Sequence, residues 1–243
     1  MADAPTAPPV HSPEFRYRRF LNWFPLGLTY ALLYMGRYNL TVGQTALGTL
    51  MPKSDFGTIF GVGAWVYAVA FLINGPLTDR IGGKRGMLIG AFGAALSNLA
   101  MGMYIQSVLN SPDPSQAPLK LVFTLLYAVN MYFQSYGAVA IVKVNAHWFH
   151  VRERGVFSGI FGIMISTGLF LAFDVNERIL RLAQSSGAGD DAVRWVFLAP
   201  ALLLGAFFLL ELFTLKDTPS QAGHPDFDTG DASSVEDSAQ PPI

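Results

Sequence analysis

Six runs of roughly 20 mostly apolar residues divide this 243-residue chain, and each is long enough to cross the hydrocarbon layer of a bilayer as a helix. They lie at about 20–49, 56–78, 87–108, 119–144, 155–174 and 195–214. A lipid-embedded segment must satisfy its own backbone groups, so the pattern predicts an all-α polytopic membrane protein built as a six-transmembrane-helix bundle. Only 14% of residues are charged, against about 25% in a soluble domain, which excludes a water-exposed globule. Residues 1–15 are Pro- and Ala-rich and lack a basic region leading into a short apolar core, so they read as a disordered cytoplasmic lead-in, not a signal peptide. Residues 16–216 hold the bundle. Residues 217–243 carry Asp226, Asp228, Asp231, Glu236 and Asp237 with no apolar run, and read as a disordered acidic cytoplasmic tail.

The connections fix an expected orientation. Arg16, Arg18 and Arg19 precede the first run, Arg80, Lys84 and Arg85 follow the second, Arg152 and Arg154 follow the fourth, and Lys216 follows the sixth. The other side holds Lys53, Lys120, Arg178, Arg181 and Arg194, interleaved with Asp55, Asp113, Glu177, Asp190 and Asp191. This bias predicts both termini in the cytoplasm of a bacterial-type inner membrane.

Arg37 is the most informative residue. The stretch after it stays uncharged until Lys53, so the first helix can run on to about Thr49. At ~1.5 Å per residue, Arg37 then lies about 26 Å beyond Phe20 and about 18 Å before Thr49, inside the apolar layer. A cation there costs at least ~3 kcal/mol and normally faces a bundle interior or wet cavity. Steps of four and three place Tyr30, Tyr34, Arg37, Thr41 and Gln44 on one face, a stripe suited to lining a cavity for a small anion that supplies the missing counter-charge. The competing reading ends the helix near Tyr38 and lets Arg37 snorkel to the headgroups. In the fourth run, Tyr127, Asn130, Gln134 and Gly137 form a second stripe, as ligand contacts or as helix glue; Tyr67 and Asn74 share a face of the second.

Other chemistry is missing. A net charge of −1 leaves no basic surplus for nucleic acid. Cys is absent, and His11, His147, His150 and His224 fall in termini or loops, so no metal site and no cofactor are expected. Asp174 and Glu211 sit near predicted helix ends, leaving no buried carboxylate relay. Neither a GxSxG elbow nor an HExxH pair occurs, and the chain does not read as an enzyme.

Between the second and third runs the chain reads Gly75-Pro-Leu-Thr-Asp79-Arg80-Ile-Gly82-Gly83-Lys84-Arg85, in which Asp79 beside three cations can latch helix ends. This resembles the major facilitator signature G-x-x-x-D-R-x-G-x-K/R-R/K. A narrower resemblance rests on Tyr34-Met-Gly-Arg37-Tyr-Asn39, Phe133-Gln134, His147-Trp148-Phe149, Arg152-Glu153-Arg154-Gly155 and Asp217-Thr218-Pro219. Together these look like the organophosphate:phosphate antiporters.

In that family substrate phosphate sits between an Arg of helix 1 and one of helix 7, and transport proceeds by exchange and alternating access. Arg37 matches the first Arg; the second has no counterpart here. Where the glycerol phosphate member carries a binding His in helix 5, this chain has Ile165. The resemblance implies the N-terminal half of a major facilitator fold, with a small phosphorylated or carboxylated substrate and a second six-helix half, either another copy or a separate chain. Two further readings are a transporter-like membrane receptor for a sugar phosphate and an inactive truncated half.

Overall fold

A computed structural model describes residues 10–230. The first nine residues, and Asp231, Glu236 and Asp237 of the expected tail, lie outside the described residues. The described chain forms six long rods. Helices α1 (Pro13–Leu47), α2 (Lys53–Ile81), α3 (Gly83–Leu109) and α4 (Leu119–Trp148) are the first four. The fifth joins α5 (Arg154–Phe170) through a π-turn at Leu171–Val175 to α6 (Asn176–Ala183), and α7 (Trp195–Thr214) is the sixth. Among described residues, α2, α3, α4 and the helical run Val151–Thr214 are long and apolar enough to cross a membrane. Helix α1 is longer than α2, α3 or α4 but more polar, and its polar residues build the site described below.

Three boundaries differ from the sequence reading. The fifth rod passes Asp174 and ends at Ala183. Ala172, Asn176 and Leu180 are buried at spacings of four while Asp174, Glu177 and Arg178 face outward, so the rod leaves the apolar layer as an amphipathic helix. Residues 10–15 and 217–230, expected to be disordered, are packed: Ser12 caps α1, Phe15 is buried, and its ring meets His11, His224 and Phe227. Apolar side chains inside an acidic segment supply the burial that composition did not register. Glu211, expected near a helix end, is fully buried between α7 and α1, where Thr29 Oγ1 donates to its Oε1 at 2.6 Å.

Helix α1 runs through the middle, packing on α7 and α5 and more lightly on α4 and α3. Helix α3 lies between α4 and α7, and α2 packs on α4. Small residues set the closest approach. A Cβ at Gly93 would stand 2.0 Å from Phe133 Cγ and one at Gly90 3.1 Å from the Phe133 carbonyl, so α3 and α4 meet nearly backbone to backbone. The small-residue stripe of α5 differs: Ser158, Gly162 and Ser166 are exposed, with nothing near a Cβ at Gly162.

The basic connections gather at one end. Asn22 exchanges two hydrogen bonds with the Lys216 backbone, at 3.1 and 2.9 Å, while Arg18 donates to the Thr214 carbonyl and Arg19 pairs with Glu153 at 3.1 Å. Residue 229 closes this end through its carbonyl, which accepts from Val151 N at 2.8 Å.

Two outcomes follow. Gly93→Ala forces Phe133 aside and costs about 1–3 kcal/mol of stability, whereas Gly61→Ala, with open space at its Cβ, stays within about 0.5 kcal/mol; thermal unfolding in detergent separates them. Burial, reinforced by the Arg19 charge, holds His11 below the ordinary histidine value of 6.5. The folded protein therefore binds fewer protons there than the unfolded chain, and the terminal packing loosens as pH falls through about 6.5. Hydrogen exchange in residues 217–230 should accelerate over that range and lose the dependence in His11→Phe.

Candidate functional site

Helix α1 continues ten residues past Arg37 to Leu47, so the reading in which it stops near Tyr38 is overturned. Arg37 is 8% exposed, and its Nε donates to Gln134 Oε1 at 2.9 Å. Its guanidinium carbon lies 4.9 Å from the Tyr34 ring centre and 4.5 Å from that of Tyr67. Tyr67 is the middle residue of α2, and Gln134 is within a residue of the middle of α4. The cation thus stands at mid-height of the bundle, on the surface shared by α1, α2 and α4. Stacked aromatics each contribute about 0.5–2 kcal/mol to a cation, and the Gln134 oxygen satisfies one of five N–H groups. Among described residues no carboxylate pairs with Arg37, and its two terminal nitrogens make no hydrogen bond.

What fixes its depth is the backbone one residue earlier. The Gly36 carbonyl accepts from Asn130 Nδ2 at 3.0 Å and Asn98 Nδ2 at 3.1 Å, while Tyr127 Oη donates to the Arg37 carbonyl at 3.1 Å. Asn130 Oδ1 also accepts from Gln134 Nε2 at 3.2 Å, and Asn39 Nδ2 donates to Asn98 Oδ1 at 2.7 Å. The α1–α3–α4 core is therefore a chain of amides, each fully buried, that ends on the side chain holding Arg37. Gly36 is required here because a Cβ would stand 2.9 Å from Asn98 Nδ2.

The stripe read from the sequence divides. Tyr30 and Tyr34 join Arg37: their rings lie 5.3 Å apart, and Tyr30 meets Phe161 of α5 at 5.0 Å. Gln134 joins as the acceptor for Arg37, whereas Asn130 serves as helix glue. Thr41 and Gln44 are half-buried nearer the helix end, where Gln44 Nε2 donates to the Met51 carbonyl at 3.1 Å and steadies the turn into α2. Asn98 and Asn39 escaped sequence reasoning; the available signal was an amide in the middle of an otherwise apolar α3 and another just beyond Arg37.

The loop motif lies at the basic end. Asp79 pairs with Lys143 of α4 at 3.4 Å, and Lys143 Nζ also donates to the Asp79 carbonyl at 2.9 Å, so its partner is α4 and not the cations of its own loop. Gly82 adopts φ +92° between α2 and α3. Lys84 N donates to Asp217 Oδ1 at 2.7 Å, and its Nζ donates to the Leu212 carbonyl at 2.8 Å, tying α3 to the end of α7. Arg80 and Arg85 are exposed, and a Cβ at Gly75 would meet nothing. Glu153 accepts from Arg19 and from His150 N, Arg152 N donates to His150 Nδ1, and Arg154 Nη2 donates to the Ala146 carbonyl.

A polar surface at mid-height of an apolar six-rod bundle is the architecture of a half-size polytopic membrane protein. The Major Facilitator Superfamily model matches residues 26–238, and the chain belongs to that family. It is an integral membrane protein. It is 22% identical to the membrane sensor protein UhpC of Salmonella typhimurium, over 92% of this chain and 47% of that protein. A probable hexose phosphate transport protein of Chlamydia trachomatis is 22% identical over 90% of this chain and 44% of its own, and sugar phosphate exchanger 3 of Xenopus laevis 24% over 80% and 37%. The chain spans about half the length of the relatives it matches.

Gln134→Leu keeps the volume but leaves the buried Arg37 Nε without an acceptor. It should cost about 1–3 kcal/mol in thermal unfolding, whereas Tyr67→Leu, which removes a cation–π face and the ring contact with Phe71 but strands no buried donor, should cost less than about 2 kcal/mol.

Proposed function

We propose that this chain moves a small phosphorylated organic anion across a membrane, with Arg37 receiving the phosphate. One observation carries the reading: a cation at mid-height has aromatic faces and an amide for company, but among described residues no carboxylate. A planar guanidinium with unoccupied terminal nitrogens suits a phosphate, which accepts two parallel hydrogen bonds. Tyr30, Tyr34 and Gln134 shape the rest of the surface. Relatives named for hexose phosphate and sugar phosphate favour a sugar phosphate over a plain carboxylate.

The Arg37 surface is one wall, and we take a second six-helix half, a further copy or a separate chain, to supply the other. The exposed face of α2, with open space around a Cβ at Gly57 and Gly61, supports a close approach by such a half. Two halves rocking about the site give alternating access, and exchange against inorganic phosphate follows if an empty site recloses poorly over an uncompensated cation. The Lys/Arg bias supports a cytoplasmic basic end, and with it cytoplasmic chain ends, in an inner-type membrane. A second reading, a sugar phosphate sensor, draws on the 22% identity to a membrane sensor protein.

In proteoliposomes loaded with inorganic phosphate, the chain should take up radiolabelled hexose phosphate saturably. Arg37→Ala should reduce uptake at least about 100-fold, and Arg37→Lys, which keeps charge without the planar fork, about tenfold, both with normal assembly. Saturable binding without flux would select the sensor reading; neither binding nor flux would overturn both.

A further inference from the structure

A cavity of about 370 Å³, within the range of small-molecule sites, opens between α4 and α5 at the basic end, away from Arg37. Its lining is graded. Arg154, Ser158 and Asn145 supply polar groups near the helix ends, while Phe157, Phe161 and Ile165 extend it inward as an apolar wall. Asn145 is only 3% exposed; its Nδ2 donates to the Ile141 carbonyl at 2.7 Å, but its Oδ1 has no partner among the described residues. A buried acceptor left unpaired is destabilising, so Asn145, in the cavity lining, would gain from an O–H donor. Arg154 lines the same cavity, and its bond to the Ala146 carbonyl bridges from α5 to α4.

The apolar wall leads onward. Phe157 and Phe161 lie 5.6 Å apart, Phe161 is 5.0 Å from Tyr30, and Tyr30 is 5.3 Å from Tyr34 beside Arg37. Seven residues separate Arg154 from Phe161 and seven separate Tyr30 from Arg37, so at ~1.5 Å per residue the two arginines stand about 20 Å apart along the bundle. One small molecule does not touch both.

We propose that this cavity is an outer station for a phosphorylated polyol, distinct from the Arg37 surface. The phosphate meets Arg154, a hydroxyl donates to Asn145 Oδ1, and the carbon skeleton lies against Phe157 and Phe161. The ring ladder then guides the ligand toward Arg37. This inference rests on the transport reading above. It adds a requirement that a central phosphate site alone does not have: the ligand must carry a hydroxyl donor and an apolar face beside its phosphate, which sets a sugar phosphate above inorganic phosphate at the mouth.

The chain has no cysteine, so Ser158→Cys places a single thiol at the station. Alkylation by a water-soluble maleimide is followed for the full chain in nanodiscs, with glucose 6-phosphate, inorganic phosphate or glucose added, in Arg37 and Arg37→Ala backgrounds. Glucose 6-phosphate should slow alkylation at least tenfold in both backgrounds, with phosphate and glucose weaker. Asn145→Leu should raise the half-protecting concentration of glucose 6-phosphate about tenfold and leave that of phosphate unchanged. Gly162→Cys, open around its Cβ, gives the same readout should Ser158→Cys fail to assemble. Protection that vanishes with Arg37→Ala overturns the outer station while leaving central binding intact. Protection by phosphatidylglycerol in the nanodisc, with none from glucose 6-phosphate, assigns the cavity to a lipid phosphate and also overturns it.

Discussion

A positive charge held at mid-height of an apolar bundle must be compensated, and much of this structure arranges that compensation without completing it. The Tyr34 and Tyr67 rings and the Gln134 amide stabilise the Arg37 guanidinium, yet each is neutral. Interactions of this kind offset a few kcal/mol of desolvation and leave the net charge in place. A carboxylate there would complete the pair and remove any need for a ligand. Its absence among the described residues is the physical content of the transport reading.

Such a site must also be held at fixed depth, or the cation would relax toward water. Two amides from different helices converge on the Gly36 carbonyl, and Tyr127 holds the next carbonyl. Hydrogen bonds to the backbone fix α1 itself, so Arg37 cannot slide without breaking several buried bonds. The same device recurs at the basic end, where Asn22, Trp148, Asp217 and Lys143 all bond to backbone groups of neighbouring elements. The bundle is thus tied at its centre and at one end, while α2 and α5 present exposed apolar and small side chains.

The sequence made some of this legible. Unbroken apolar runs announced the rods, and the uncharged stretch from Leu40 to Pro52 announced that α1 outlasts Arg37. Helical spacing put Tyr30, Tyr34 and Arg37 on one face, but spacing carries no depth, and Thr41 and Gln44 share the face without reaching the site. Asp79 looked toward its sequence neighbours, whereas its partner Lys143 lies 64 residues away on another helix. The acidic tail read as solvated because composition averages over residues; Phe227 docks on Phe15 all the same. Asn98 bonds to carbonyls and amides that only tertiary packing brings near.

The central claim is that the Arg37 guanidinium meets phosphate, and nitrogen NMR of arginine side chains in lipid reads it directly. With guanidine-labelled protein, one resonance missing from Arg37→Lys should shift when hexose phosphate is added, and shift less with unphosphorylated hexose. If that resonance stays still while only the exposed arginines of the basic end respond, Arg37 is not the phosphate's partner and the account fails.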